Sequence, residues 1–210
     1  MAQTAAHFQH PKYKLVDDDR VVRRDDTNNP PSLEEQGEIL QEIGRYVQAK
    51  ITMDFGFVAL KIPEDDVPAS TSILVSPDWQ TAQKLFIIVQ NASGSMMGIF
   101  SRSLCLDRGL RHGAMLNYIS RARDAGYAVM LLRPNTNSVL TESTSASATG
   151  SSMVKVAIQG SESPEAHSMY VWENIIPRAE CARHIVQGHV HSTDGSEPVD
   201  RRGRPYRRFC

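Results

Sequence analysis

Ser192 has sequence neighbours of the kind that surround a catalytic nucleophile. It follows the apolar stretch HIVQGHV (184–190) almost directly and precedes the turn-forming pair Asp194-Gly195. In one large class of serine enzymes the nucleophile occupies such a tight turn after a strand. That serine also needs a histidine as base and an acid that orients the histidine. No histidine follows Ser192, so the sequence predicts no triad in the order serine, acid, histidine.

Two histidines close to Ser192 have a spacing that could bind a metal ion. His189 and His191 are two residues apart on a predicted strand and therefore share one face, whereas His184 is expected on the opposite face. A zinc site needs further ligands, and the pattern supplies no clear third one. We therefore interpret these residues as ordinary strand histidines and predict no metal and no cofactor.

A loop of small residues, QNASGS (90–95), follows the apolar run KLFIIV (84–89). In α/β proteins the loop after a strand often binds an anion. This loop lacks the glycine spacing of nucleotide-binding loops, so a tight turn is the preferred interpretation and a small-anion site is the alternative. The residues at the position of an oxyanion loop are Gln90, Asn91, Ala92, Ser93 and Gly94.

Ser163, Pro164 and Glu165 have the pattern of a helix start, with a capping serine, a proline at the first position and an acid near the positive end. One face of this helix is predicted to carry His167, Tyr170, Val171 and Asn174. One hypothesis makes Glu165 and His167 a polar site. The preferred interpretation is that Tyr170, Val171 and Trp172 pack the helix onto a sheet, with His167 hydrogen-bonded at its rim.

The stretch RRGRPYRR is strongly basic, with arginines at Arg201, Arg202, Arg204, Arg207 and Arg208. Such a tract can contact nucleic-acid phosphates, with Tyr206 available for stacking, or serve as a nuclear-import signal. A solvated, disordered tail is the equally supported alternative.

These residues need a framework, and the alternation of strands and helices is typical of an α/β protein. Strands are predicted in FGFVALKI (55–62), SILV (72–75), KLFIIV (84–89), YAVMLL (127–132) and HIVQGHV (184–190). Ser32 and Glu35 form a capping-box pattern before a helix of about four turns. A second helix is predicted to end at Gly126, and the helix that begins at Pro164 is predicted to end or kink at Pro177.

Length and composition favour one sizeable globular domain, or at most two small ones. The 210 residues carry a formal net charge of −1, which argues against a uniformly basic nucleic-acid-binding surface. We expect a polar segment at 1–31, a domain at 32–192 with a flexible Ser/Thr-rich insertion at 135–152, and a disordered basic tail at 193–210. The three cysteines form no CxxC pair, and neither a signal peptide nor a membrane-spanning run is present, so we expect a soluble nuclear or cytoplasmic protein.

The chain resembles the Argonaute-binding-protein-two (Arb-two) domain family in three stretches. These are SPDWQTAQKLFIIVQ…GIFSRSL, LNYISRARDAGYAVMLLRPNTN and SPEAHSMYVWENII. The resemblance runs from roughly residue 12 to residue 195 and extends to animal cotranscriptional regulators. It implies an α/β-hydrolase-like fold with three layers, a mostly parallel sheet and flanking helices. It also implies partners of the Argonaute or chromatin-silencing type.

Two departures from the family pattern bear on catalysis. Many relatives have His-Gly-Ser-Gly after the strand that corresponds to LFIIV, whereas this chain has QNASG (90–94). Around the serine, relatives have Ala-His-Ser-Tyr-Gly-Gly, whereas this chain has VHSTDG (190–195). The turn at the nucleophile needs small neighbours, yet Val190 and Asp194 are larger than the family residues. Asp194 also places a negative charge beside any developing oxyanion.

The sequence therefore predicts a non-catalytic, α/β-hydrolase-like binding module in RNA-silencing, chromatin or cotranscriptional assemblies. The first alternative is a serine hydrolase or esterase with Ser192 as the nucleophile. Domains of this type continue beyond the turn that contains the nucleophile, so the strand at 184–190 is expected at or near a sheet edge. A protein partner or a second copy would cover that edge, or the chain is a truncated product without independent function. RNA is a further partner hypothesis, and no membrane association is expected.

Overall fold

The computed structural model describes residues 6–25, 27, 29–90, 97–142, 153–180 and 183–188. The strands in these ranges are β1 (Tyr13–Val16), β2 (Arg20–Arg23), β3 (Val58–Ile62), β4 (Thr71–Val75), β5 (Lys84–Val89), β6 (Ala128–Leu132), β7 (Ser138–Glu142), β8 (Met153–Ala157) and β9 (Arg183–Gly188). The α-helices are α1 (Leu33–Met53), α2 (Arg102–Asp107), α3 (Leu110–Gly113), α4 (Leu116–Asp124) and α5 (Pro164–Tyr170). A π-helical turn (Val171–Ile175) and a 3-10 turn (Ile176–Arg178) continue α5.

Five strands form the main sheet, in the spatial order β3, β4, β6, β5, β9. β5 runs parallel to β6 and to β9, whereas β4 runs antiparallel to β3 and to β6. Four of the five strands therefore run in one direction, and β4 alone opposes them. This arrangement confirms the predicted α/β class. The bounds of β5 coincide with the predicted strand KLFIIV, and all five residues of β6 are buried.

Two apolar clusters form around the sheet. The larger cluster joins Leu74, Ile88, Val129 and Leu131 of the strands to side chains of α1, α3 and α4 such as Ile43, Leu110 and Ile119. The second joins Ile73, Ile87, Met130 and Leu132 to Val171, Ile175 and Ile176 after α5. Neighbouring residues of β6 belong to different clusters because successive strand side chains point to opposite faces. The sheet is therefore packed on both faces, which accounts for the continuous apolar runs in its sequence.

Helix α1 begins with the predicted capping box. The Ser32 hydroxyl accepts a hydrogen bond from the backbone N–H of Glu35, and the Glu35 carboxylate accepts one from the N–H of Ser32. With 21 residues, α1 is longer than the four turns that the sequence predicted. The apolar stripe does not stop at Val47 but continues four residues further to Ile51, which is completely buried.

A hairpin of β1 and β2 lies where the sequence predicted only a polar segment. Asp17 and Asp18 form its turn with φ angles of 54° and 53°, a conformation that short acidic residues tolerate. The Tyr46 hydroxyl donates to Asp18 at 3.0 Å, and the Asp19 carboxylate accepts from the backbone N–H of Arg111 at 2.7 Å. The acidic cluster therefore attaches the hairpin to α1 and α3.

β7 and β8 form a separate two-stranded sheet. The sequence predicted a flexible insertion over 135–152, but residues 138–142 of it form β7. Val139 and Thr141, which favour strands, pair with Val156 and Val154 of β8. Residues 143–152 lie outside the described ranges.

In the ranges given above, each helix is too short or too polar to pass through a lipid bilayer.

Candidate functional site at the carboxyl edge of the sheet

The carboxyl ends of β3, β5, β6 and β9 meet at one edge of the main sheet, because these strands run in the same direction. The antiparallel β4 begins at this edge, since Thr71 pairs with Ile62 at the end of β3. Val89 pairs with both Leu132 and Gly188, so the last residues of the three parallel strands lie side by side. Ligands of open α/β sheets bind outside this edge, so it is the candidate functional site.

Gln90 is the first residue after β5 and is buried. Its backbone N–H donates to the carbonyl of Leu132 at 3.1 Å, and its side-chain oxygen accepts from the backbone N–H of Gly98 at 3.1 Å. Gln90 therefore ties β5 to β6 and joins the two ends of the chain segment that follows it. The other four residues predicted for an oxyanion loop, at 91–94, lie outside the described residues, as does Ser192.

Ser161 and His167 form a buried pair beside the loop that follows β6. The Ser161 hydroxyl donates to the carbonyl of Thr136 at 2.9 Å and lies 2.9 Å from Nδ1 of His167. Because the hydroxyl has one proton, Nδ1 of His167 must carry a proton and donate to Ser161. Nε2 of the ring is then unprotonated, and it is buried without a hydrogen-bond partner among the described residues.

This environment keeps the histidine neutral. Burial, together with the charge of Arg133, lowers the pKa of His167 to about 4. A serine and a histidine at this distance resemble a nucleophile and its base. However, both side chains are completely buried, so a substrate cannot reach the hydroxyl. The pair fixes the loop instead, together with Asn137, whose side chain donates to the carbonyls of Pro134 at 2.7 Å and Ser161 at 2.8 Å.

The motif around α5 forms the predicted helix start. The Ser163 hydroxyl accepts from the backbone N–H of Ala166 at 3.1 Å, and Pro164 is the first helical residue. The predicted polar site of Glu165 and His167 does not form among the described contacts, because Glu165 is exposed and His167 bonds to Ser161. The predicted rim position of His167 is also wrong, since its side chain is fully buried.

The predicted packing onto the sheet is observed for Val171, which is buried, and in part for Tyr170, which is partly buried. The prediction for Trp172 is wrong, because this side chain is 43% exposed. Its neighbour Val171 is completely buried, and adjacent helical residues do not share a face. The π-helical turn continues the buried positions from Val171 to Ile175, which leaves Trp172 on the outer side.

A pocket of about 400 Å³ opens at the same edge, next to the ends of β3, β4 and β6. Its polar lining consists of Lys61, Ser70, Thr71, Ser72, Arg133 and Thr136, with Ala59 as the apolar wall. The sequence did not point to this set, because three separate segments supply it. One signal was present, since Arg133 is the first charged residue after the apolar run of β6.

No group of three or more histidine, cysteine, aspartate or glutamate side chains in the described ranges could hold a metal ion. His189 and His191 lie outside those ranges, and so does the arginine-rich stretch at 201–208.

Comparison with known proteins gives a family match and several relatives. The Arb2 domain family matches residues 12–195. The cotranscriptional regulator ARB2A of Mus musculus is 26% identical, over 78% of this chain and 48% of the relative. The ARB2A of Homo sapiens is 25% identical and the ARB2A homolog of Xenopus tropicalis 24% identical, with the same two coverages. The chain spans about half the length of these relatives.

Proposed function

We propose that this chain, which belongs to the Arb2 domain family, is a non-catalytic binding module of a regulatory protein. The relatives carry the name cotranscriptional regulator, which supports a regulatory role and action in the nucleus. The assemblies that we propose are those of cotranscriptional regulation, chromatin silencing or RNA silencing.

The observation that carries this proposal is that the buried Ser161–His167 pair makes its hydrogen bonds inside the protein. In the part of the chain that the structure describes, it is the one serine–histidine contact at hydrogen-bonding distance. Catalysis by a serine requires that its hydroxyl contact the substrate. Ser161 instead donates to a backbone carbonyl inside the protein, so these residues contribute to structure and not to a reaction.

The topology supports an α/β-hydrolase-like arrangement in three layers. When the five strands of the main sheet are numbered along the chain, their spatial order is 1-2-4-3-5. Strand 2 runs antiparallel to the other four. This order differs from those of the dinucleotide-binding and flavodoxin-like sheets. It is the order of the first five strands in α/β-hydrolases. The apolar clusters on the two faces supply the outer layers.

One observation favours the alternative of a serine hydrolase. The ends of β5 and β9 are paired through Val89 and Gly188, so the two strands end side by side at the same edge. Hydrolases of this fold place the nucleophile and the oxyanion donors after two such strands. Ser192 follows β9, and the loop at 90–94 follows β5.

Labelling with a fluorophosphonate separates the two functions. We expect no labelling of the full chain when its folding is verified by a cooperative thermal transition. Ser192→Ala and Ser161→Ala variants serve as matched controls. Labelling that disappears in Ser192→Ala and persists in Ser161→Ala would overturn the non-catalytic function.

For partners we propose proteins of the Argonaute or chromatin-silencing type, with RNA as a further component. A dimer through β9 is a related proposal, because this strand pairs with β5 alone among the described strands. Size-exclusion chromatography of the purified chain, alone and with a purified Argonaute-type protein, tests both. Elution as a monomer in both runs would contradict these partners.

A further inference from the structure

The pocket at the ends of β3, β4 and β6 has the lining of an anion site. Two cationic residues and four hydroxyl residues line it, and no carboxylate residue lines it within the described part of the chain. The residues are Lys61, Arg133, Ser70, Thr71, Ser72 and Thr136. The pocket is open to solvent, and its volume of about 400 Å³ leaves room for a phosphate group.

Arg133 is partly buried without a compensating anion. Its guanidinium takes part in no ion pair within the described ranges, although other arginines do, such as Arg123 with Asp78 and Arg178 with Glu64. Burial lowers the pKa of the Arg133 guanidinium, because desolvation disfavours its charged form. A guanidinium in such a place is normally paired with a carboxylate or a phosphate.

Thr71 is 7% exposed, and its hydroxyl is buried without a hydrogen-bond partner among the described residues. It pairs with Ile62, so its side chain lies on the opposite face of the sheet from Lys61 and Ser72, which pair with each other. The β4 hydroxyl on the side of Lys61 is therefore that of Ser72.

Lys61 adds a second positive charge to the pocket. Its ammonium pairs with Asp66 at 3.0 Å, but the Asp66 side chain is fully exposed. Exposed pairs of this kind are weak, so Lys61 can leave Asp66 for a ligand in the pocket. His167, whose pKa is lowered by burial and by the charge of Arg133, is neutral and adds no third positive charge.

We propose that this pocket binds a phosphate group, either as free phosphate or on a small phosphate monoester. Two cations match the charge of a phosphate dianion, and its oxygens can accept from the Arg133 guanidinium and from several hydroxyls at once. A carboxylate has one charge and fewer acceptor sites. The proposal goes beyond the proposed function and does not depend on it.

Isothermal titration calorimetry of the full chain tests the proposal. Sodium phosphate, adenosine monophosphate and sodium acetate are titrated separately at pH 7.5, with chloride keeping the ionic strength constant. We expect saturable binding of phosphate or of the monophosphate. Tighter binding of the monophosphate would identify a monoester as the ligand, and equal binding would identify the phosphate group alone.

Three variants locate the site. Arg133→Gln should weaken phosphate binding by about tenfold or more, since a charge-assisted contact is lost. Ser72→Ala removes a hydroxyl on the same face as Lys61, and it should weaken binding by about fivefold. Arg121→Gln removes an exposed charge on α4 and should leave the affinity within about twofold.

A stability measurement distinguishes lost binding from lost folding. Without phosphate, Arg133→Gln should unfold at the same or a higher temperature than the wild type, because a poorly solvated charge is removed. With phosphate, only the wild type should gain thermal stability. Absence of binding by the folded wild type, acetate binding as tight as phosphate binding, or equal weakening by Arg121→Gln would each overturn the proposal.

Discussion

At the scale of single residues, the Ser161–His167 pair stands out because both polar side chains are removed from water. Two of its hydrogen bonds are made inside the protein, yet Nε2 of His167 has no partner in the described ranges. Protonation of Nε2 would place a charge in this buried site and close to Arg133. The stability of the fold therefore depends on the ring remaining neutral.

This dependence predicts a pH effect with a definite sign. The folded pKa of His167 is about 4, below the ordinary value of 6.5, so the unfolded chain takes up the proton first. The free energy of unfolding should fall by up to about 3 kcal/mol as the pH decreases from 6.5 to 4. Chemical denaturation at several pH values measures it. His167→Asn should lose this component, whereas His112→Asn, at an exposed histidine, should retain it.

Gly98 is a second residue whose identity the structure explains. Its φ angle is +98°, and a β-carbon at this position would lie 2.7 Å from side-chain carbons of Val47 and Ile51 on α1. We expect Gly98→Ala to lower the free energy of unfolding by about 2–3 kcal/mol through strain and overpacking. Gly37→Ala is the control, because Gly37 lies in α1 with open space around it. That variant should stabilise the protein by about 0.5–1 kcal/mol. Equal effects of both substitutions in urea denaturation would contradict this explanation.

At the scale of elements, the cap of α5 holds the helix that carries His167. Ser163→Ala removes the hydroxyl that accepts from Ala166, and it should cost about 1 kcal/mol. Ser168→Ala is a matched control on the same helix, since its hydroxyl bonds to the carbonyl of Pro164. We expect that substitution to change stability by less than about 0.5 kcal/mol. Thermal unfolding of both variants measures the difference. A larger loss in Ser168→Ala would show that the cap is not what secures α5.

The elements with local signals were predictable from the sequence. The capping pattern at Ser32, the serine and proline at the start of α5, and the apolar run of β5 each depend on neighbours in the chain. The β1–β2 hairpin was missed because residues 1–31 were interpreted only as a polar segment. Three consecutive aspartates between strand-forming residues were the available signal for its turn.

The candidate site was less accessible to sequence reasoning than the fold. His167 was predicted to be hydrogen-bonded at the rim of the helix, and its full burial was not predicted. Its partner Ser161 was missed because the serine lies outside the helical pattern. The phosphate pocket combines Lys61, Ser72 and Arg133 from three strand ends. Their proximity follows from the order of the strands in the sheet, which composition and spacing do not reveal. Trp172 departs from its predicted packing because it is adjacent to the buried Val171, and adjacent helical residues do not share a face.

At the scale of the whole molecule, the N-terminal hairpin is part of the main packing unit. Tyr13 is 3% exposed and belongs to the larger apolar cluster, and Phe8, Leu15 and Val21 pack against it. The Tyr46 hydroxyl, buried and bonded to Asp18, has its pKa raised to about 12. The polar composition of the first 31 residues therefore conceals a structural contribution.

Removal of residues 1–25 tests this contribution. The deletion would expose the face of α1 around Tyr46 and the N-terminus of α3 that Asp19 contacts. We expect the midpoint of thermal unfolding, followed by circular dichroism, to fall by at least about 10 °C, or cooperativity to be lost. Tyr13→Ala should produce a smaller shift in the same direction. A deletion variant as stable as the full chain would show that the hairpin is an independent appendage.

The hydrogen bond between Gln90 and Gly98 also affects how this protein can be engineered. It joins the Gln90 side chain to the backbone N–H of Gly98, so it does not depend on the identity of residues 91–96. Lengthening a chain segment whose ends are already joined adds little entropy cost. A reporter peptide inserted after Gln90, or a transplanted His-Gly-Ser-Gly sequence, should therefore leave the sheet intact. The carboxyl edge could in this way receive new chemistry without a new fold.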